Sequence, residues 1–216
     1  MKIGILGGTF NPIHNAHLRI AEEVRDLFQL DRVIFIPAAT PPHKPQVGEL
    51  SFVSRLEMVR LAVADNPSFE VSDMEAIRGG RSYSVDTLRQ LRVEHPDDEL
   101  LFIIGADSFN DIAAWHRYDE IFRLCNVVSV QRPGSTITSL AKALPVAIAG
   151  EFCYDSAAKR LNHSSGHCVY ALDGVLLDIS SSHIRQLVKA GRSIRYLLPE
   201  AVEHYIKEQG LYVDAR

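Results

Sequence analysis

Lys2-Ile3-Gly4-Ile5-Leu6-Gly7-Gly8-Thr9-Phe10-Asn11-Pro12-Ile13-His14-Asn15-Ala16-His17-Leu18 stands at the start of the chain. A short apolar run ends in two glycines, a proline stiffens the loop after them, and two histidines introduce a new periodicity. Over residues 15–29, Leu18, Ala21, Val24, Leu27 and Phe28 fall on one helical face with charges opposite. The stretch therefore reads as strand, tight turn, helix. Gly7 and Gly8 predict a backbone that turns sharply and lets a ligand come close. A helix N-terminus favours anions through its free N–H groups and its dipole. His14 and His17, three apart, share one face there and add donors aimed at the same spot. That combination suits a polyphosphate. A histidine pair at this spacing also fits a metal site, although no third ligand is evident, and a lone histidine at a helix start is ordinarily a cap or a surface residue.

Outward from this unit the pattern repeats. Strands are expected at 32–36 (stopped by Pro37), 69–71, 99–104, 126–130 and 174–178, and helices at 51–65 with Ser51 as N-cap, 84–94, 118–124, 182–190 and after Pro199. Residues 133–173 mix a helical signal at 137–144 with a polar stretch and give no clear reading. Short apolar strands alternating with amphipathic helices predict an α/β fold, a doubly wound, Rossmann-like parallel sheet with right-handed connections. Ligands in such sheets bind at the carboxyl ends of the strands. No linker or repeat interrupts the chain, so residues 1–216 are expected to form a single domain.

The 216 residues include 46% hydrophobic and 23% charged, ordinary values for a globular protein. A net charge of −4 argues against non-specific binding to nucleic acid or a membrane surface. The three cysteines, Cys125, Cys153 and Cys168, fit neither a disulfide framework nor a zinc site and read as small buried hydrophobes. No signal peptide or membrane-spanning run is visible, so a cytoplasmic protein is expected. The first turn is not G-x-G-x-x-G, and strand 32–36 ends in Pro37 rather than an acid, which makes a dehydrogenase improbable; there is no Walker-type phosphate loop either.

A second anion site is suggested by Ser180-Ser181-Ser182-His183-Ile184-Arg185. Hydroxyls and N–H groups at a helix start make an anion nest, and the Arg185 fork suits a phosphate. Taken alone, it fits an ordinary serine cap beside a solvated arginine better. Pro41-Pro42-His43-Lys44 is either a stiff surface loop or a place where Lys44, assisted by His43, meets a phosphate. Gly105-Ala106-Asp107 follows the most apolar strand, where a carboxylate commonly accepts ribose hydroxyls or orients a metal. Trp115 sits in a loop and is either a ring-stacking surface or a core residue. Thr87, near a helix start, is either a cap or a hydroxyl for a carboxylate.

The string from Gly7 to His17 resembles the G-G-[ST]-F-D-P-x-H-x-G-H signature of the nucleotidyltransferase superfamily, with Asn11 for the usual Asp and Ala16 for the usual Gly. Ile179–Arg185 is similar to the superfamily's I-S-S-T-x-I-R motif, with Ser182 for Thr. Pro-Pro-His-Lys, Ser82-Tyr83-Ser84-x-x-Thr87-Leu88, the Trp115 loop and Arg132-Pro133-Gly134 resemble elements of the bacterial nicotinate-nucleotide adenylyltransferases. The resemblance implies a nucleotidyltransferase-type fold joining ATP and nicotinate mononucleotide into deamido-NAD and pyrophosphate. Direct in-line attack on the α-phosphorus needs no protein nucleophile. His17 and Arg185 would stabilise developing charge, with His14 in support, and Mg²⁺ would be held mainly by substrate phosphates and water. Gly7, Gly8, Thr9, Phe10, His14, His17, Gly105, Asp107, Ile179, Ser181, Ser182 and Arg185 would hold ATP. Ala39, His43, Lys44, Tyr83, Ser84, Thr87, Trp115 and Arg132 would hold the acceptor. The rival readings are an adenylyltransferase acting on nicotinamide mononucleotide or phosphopantetheine, and a non-catalytic nucleotide-binding module. The oligomeric state stays open.

Overall fold

The computed structural model describes residues 1–42, 50–130, 140–173 and 177–213. In chain order the elements are β1 (Lys2–Gly8), α1 (Asn15–Phe28), β2 (Arg32–Pro37), α2 (Phe52–Val63), β3 (Phe69–Val71), α3 (Met74–Arg78), α4 (Ser84–Glu94) and β4 (Glu99–Gly105). Next come α5 (Ala106–Asn110), α6 (Tyr118–Leu124), β5 (Asn126–Val130), α7 (Leu140–Ala143), β6 (Phe152–Asp155), β7 (Arg160–His163), β8 (Cys168–Leu172), α8 (Ser181–Lys189) and α9 (Glu200–Glu208).

The strands form one sheet in the order β3-β2-β1-β4-β5-β8-β7-β6. From β3 to β8 every pairing is parallel; β7 and β6 then add antiparallel at the edge. Alternate residues face opposite sides, so each central strand feeds two cores. Val33, Phe35, Leu101 and Ile103 pack under α1, α2, α8 and α9. Ile34, Ile36, Leu100, Phe102 and Ile104 pack under α4, α5 and α6. This two-sided burial explains why the strands read as near-continuous apolar runs. Gly4 answers a close approach: a Cβ there would meet Leu30 Cδ1 at 2.8 Å.

The chain runs outward from β1 to β2 and β3, then crosses to β4 on the other side of β1. That reversal opens a crevice beyond the carboxyl ends of β1 and β4, the place where doubly wound sheets bind ligands.

Several expectations change. Gly7 and Gly8 are still strand residues, and neither has positive φ; the left-handed residue is Phe10, at φ 47°. The last strand of the parallel set is Cys168–Leu172, not 174–178: of that stretch, 174–176 lie outside the described residues, and Leu177 and Asp178 are irregular and exposed. The hairpin turn at 164–167 starts β8 early, with Val169 buried opposite Val127. The region without a clear reading supplies the edge hairpin β6–β7. Of the cysteines, all unpaired, Cys125 alone is buried, which pushes its thiol up to about 12, whereas Cys153 is exposed and Cys168 half-buried.

Candidate active site

The crevice is a cleft of about 560 Å³. Its floor is the end of β1 and the loop beyond it. Gly8 lies flat against the Phe10 ring, where a Cβ would come within 3.0 Å, while a Cβ on Gly7 would meet nothing nearer than 3.9 Å. Gly7 thus keeps the cleft open, and Gly8 permits the packing of Phe10. Phe10 is in turn set edge-on to His17, with ring centroids 5.1 Å apart.

The histidines are linked differently from two residues on one helical face. His14 is the N-cap of α1, with extended backbone and a side chain that is almost fully buried. Its backbone N–H donates to His17 Nδ1 at 3.2 Å, and the two rings stack with centroids 3.7 Å apart. Because His17 Nδ1 accepts, the neutral ring carries its proton on Nε2, which makes that nitrogen a donor. Both histidines line the cleft.

The segment that opens α8 closes on this loop. Ser180 is the N-cap and accepts from the His183 N–H at 3.2 Å. Ser181 Oγ donates to the Pro12 carbonyl at 2.8 Å, and Arg185 Nη1 donates to the Asn11 carbonyl at 2.7 Å across 174 positions of sequence. Arg185 Nη2 reaches Ser182 Oγ at 3.4 Å. Ser181, Ser182 and Arg185 all line the cleft. A loop whose carbonyls are held by side chains turns its N–H groups elsewhere, and the guanidinium becomes a fixed cation at one end of the cleft. A third grip comes from Arg55 of α2, which is 2% exposed and donates to the Thr9 carbonyl at 2.7 Å and the Ala39 carbonyl at 3.4 Å.

The other wall carries rings and short polar chains. Trp115 is half-buried, its indole edge-on to Phe102. Tyr83 and His116 lie ring against ring, centroids 4.3 Å apart. Tyr83, the N-cap of α4, makes no side-chain cap bond; the Asp86 and Thr87 N–H groups donate back to its carbonyl, while Tyr83 and Ser84 line the cleft. Thr87 sits behind them. It is 4% exposed, and its hydroxyl donates to Glu75 Oε1 at 2.5 Å while accepting from Arg78 Nη2 at 3.1 Å. The expected direct contact between this hydroxyl and a ligand is therefore replaced by a bond to Glu75, which itself lines the cleft.

Of the residues singled out from sequence, Gly7, Gly8, Thr9, Phe10, His14, His17, Tyr83, Ser84, Gly105, Trp115, Ser181, Ser182 and Arg185 meet in this cleft. Four do not line it. Asp107 is exposed in the first turn of α5, with Ser108 on the wall instead; Ile179 packs against the core; Ala38 takes the place expected for Ala39; Thr87 is buried. His43, Lys44 and Arg132 lie outside the described residues. Sequence reasoning missed Arg55, Glu75 and Arg78. The signal available for Arg55 was a cation at a position that the periodicity of α2 turns inward; Glu75 and Arg78 belong to no motif.

A parallel α/β crevice with one cationic, hydroxyl-rich end and one aromatic wall suits a nucleotide-handling transferase. Comparison with known proteins agrees with that class. Residues 5–187 match the cytidylyltransferase-like family. A probable nicotinate-nucleotide adenylyltransferase of Citrifermentans bemidjiense is 82% identical over all of both chains, and one of Geobacter sulfurreducens is 64% identical over 98% of each. A solved structure of the Plasmodium falciparum nicotinic acid mononucleotide adenylyltransferase complexed with NaAD shares the fold, with a TM-score of 0.75 at 19% identity over 98% of this chain and 97% of that one. The chain belongs to the cytidylyltransferase-like nucleotidyltransferases and, within them, to the group of the bacterial nicotinate-nucleotide adenylyltransferases.

Proposed function

We propose that this chain, working in the cytoplasm as one domain of 216 residues, transfers the adenylyl group of ATP to nicotinate mononucleotide, a step of NAD biosynthesis. The observation that carries the reading is the meeting of two segments from opposite ends of the sequence, Ser181 on Pro12 and Arg185 on Asn11, at one end of one cleft. Small nucleotides are the substrates; among the described residues no helix is long and apolar enough to cross a membrane.

The acceptor's phosphate oxygen attacks the α-phosphorus. A new O–P bond forms, the bond from the α-phosphorus to the bridging oxygen breaks, and pyrophosphate leaves with the electron pair. The attacking oxygen is already anionic, so the protein's part is positioning and charge stabilisation. His17 Nε2–H and the Arg185 fork face the charge that develops on the leaving phosphates, and His14 holds the His17 ring in place. Gly7, Gly8, Thr9, Phe10, Ser181 and Ser182 complete the ATP end, with Gly105 at the end of β4. Tyr83, Ser84 and Trp115 form the acceptor end; the resemblance assigns His43, Lys44 and Arg132, outside the described residues, to the same substrate. The N-terminus of α4, which carries no side-chain cap, suits the negative carboxylate that separates nicotinate from nicotinamide.

Among the described residues no three His, Cys, Asp or Glu side chains gather around one point; the acid on the cleft wall, Glu75, accepts from Thr87 on Oε1 and leaves Oε2 buried without a hydrogen-bond partner. Magnesium enters on the phosphates of ATP as part of the substrate, held mainly by those phosphates and by water.

Pyrophosphate release from ATP and Mg²⁺ tests the reading, with the acid mononucleotide, the amide mononucleotide and phosphopantetheine as separate acceptors. Turnover is expected to be fastest with the acid. A preference for phosphopantetheine, or ATP binding without pyrophosphate release, overturns it.

A further inference from the structure

The first-turn loop is gripped by one more side chain, from the far end of the sequence. Tyr212, just beyond α9, donates its hydroxyl to Asn11 Oδ1 at 2.7 Å, across 201 positions. Asn11 is 9% exposed and lines the cleft. The same residue's carbonyl accepts from Arg185 at 2.7 Å. Asn11 is therefore a bridge, with the C-terminal segment on its side chain and the cleft's cation on its backbone. The Tyr212 ring packs against the core under α2, α8 and α9. The charged groups facing its hydroxyl are the guanidinium groups of Arg185 and Arg55, yet burial dominates and holds the phenol well above its ordinary range, so it stays a donor at any working pH.

We propose that Tyr212 is a positioning residue for adenylyl transfer: through Asn11 it fixes the loop carbonyl on which Arg185 is oriented, so the C-terminal segment completes the phosphate end of the cleft. The inference rests on the proposed function for its activity readout. The contact asks only for an acceptor oxygen at position 11. An aspartate there preserves it and a leucine does not. Without the phenolic hydroxyl, Asn11 loses one of its two anchors, and the carbonyl beneath Arg185 moves more freely. The acceptor wall, built on α4 and the loop before α6, does not depend on this contact.

The test uses the full chain with three single variants and one double. Tyr212→Phe removes one oxygen and keeps the ring. Its kcat/KM for ATP is expected to fall about tenfold, the scale of one well-made hydrogen bond, while the acceptor's KM stays within about twofold. Asn11→Asp, which keeps an acceptor oxygen for the phenol, should lose less ATP kcat/KM than Asn11→Leu, and Asn11→Leu should lose at least as much as Tyr212→Phe. Tyr212→Phe combined with Asn11→Leu should be no worse than Asn11→Leu alone, because the two changes delete one contact. A general loosening of the fold would raise both KM values together, and unrelated effects would add; either result overturns the inference, as does a Tyr212→Phe enzyme with parental ATP kinetics. Should the parent chain release no pyrophosphate with any acceptor, the functional reading fails by itself. Calorimetric binding of a non-hydrolysable ATP analogue then decides: about tenfold weaker binding by Tyr212→Phe supports the inference and equal affinity overturns it. Should Tyr212→Phe fail to fold, Asn11→Asp against Asn11→Leu gives the same decision.

Discussion

The two ends of the cleft are built on different principles. At the proposed phosphate end, side chains from α2, α8 and the C-terminal segment grip a single loop, three of them by its main-chain carbonyls: Arg55 on Thr9, Arg185 on Asn11 and Ser181 on Pro12. At the proposed acceptor end the polar groups bond one another, Arg78 to Thr87 to Glu75, and rings, Trp115 and Tyr83, line the space between. The first end offers fixed charge and donors that match any triphosphate. The second offers shape and a helix terminus, which is what separating one mononucleotide from another requires. Rate should therefore live mainly at the first end and acceptor choice at the second.

His17→Ala puts the largest strain on that division. Loss of a donor aimed at the developing charge is expected to lower turnover by about 10²–10³, or roughly 3–4 kcal/mol. The acceptor's KM should change little. Stopped-time pyrophosphate assays at saturating ATP measure the effect, and near-parental turnover removes His17 from the mechanism. Arg185→Lys comes next. The charge survives but the fork that holds both the Asn11 carbonyl and Ser182 Oγ does not, so about a tenfold to hundredfold fall in kcat/KM for ATP is expected. A lysine enzyme as good as the parent would mean that only charge matters at this end.

Trp115→Ala and Thr87→Val sharpen the other side. Each should raise the acceptor's KM by about tenfold and leave that of ATP nearly unchanged. They should differ in stability. Thr87→Val strands the buried Glu75 carboxylate and Arg78, costing about 1–3 kcal/mol on unfolding by denaturant, while Trp115→Ala at a half-buried site costs less. Equal changes in both Michaelis constants would dissolve the division between the ends.

The same contrast decides what could be read from sequence. The phosphate end was legible because its parts are local: a glycine pair, a histidine pair and a serine run each occupy near-neighbouring positions at a strand end or a helix start. Their meeting across 174 positions agrees with the alternation of strands and helices, which places both segments at the carboxyl edge of the sheet. Thr87 was visible as a residue type at a helix start, but its true partner was hidden, because Glu75 sits on the five-residue helix α3, which is too short to show periodicity. Tyr212 looked like any C-terminal aromatic residue. The edge hairpin β6–β7 escaped for another reason: its four-residue strands carry Cys153, Asp155, Arg160 and Asn162 among the apolar residues, so little alternation survives. Gly7 and Gly8 mark the turn without making it. Phe10 bears the left-handed backbone, and the glycines provide room for a ligand and for the Phe10 ring.

The smallest expected effect concerns acid. The carboxylates held below their ordinary range are Glu22 by Arg25, Asp98 by the N-terminal ammonium, Glu120 by Arg89, Glu151 by Arg123 and Asp155 by backbone amides. None lines the cleft. A carboxylate whose folded pKa is depressed stabilises the protein above its unfolded value, 4.5 for a glutamate such as Glu120, and loses that contribution as pH falls through the folded value. His167, whose imidazole is held by burial below its ordinary 6.5, takes its proton first in the unfolded chain, so a small loss of melting temperature should begin near pH 6.5, with the carboxylate decline following below about pH 5, each exposed carboxylate contributing little because solvent screens it. Glu120→Gln should flatten a small part of that decline and leave both Michaelis constants at pH 7 unchanged. A Glu120→Gln enzyme with an altered ATP KM would mean that the α4–α6 contact reaches the phosphate end, and the two ends would no longer be separable.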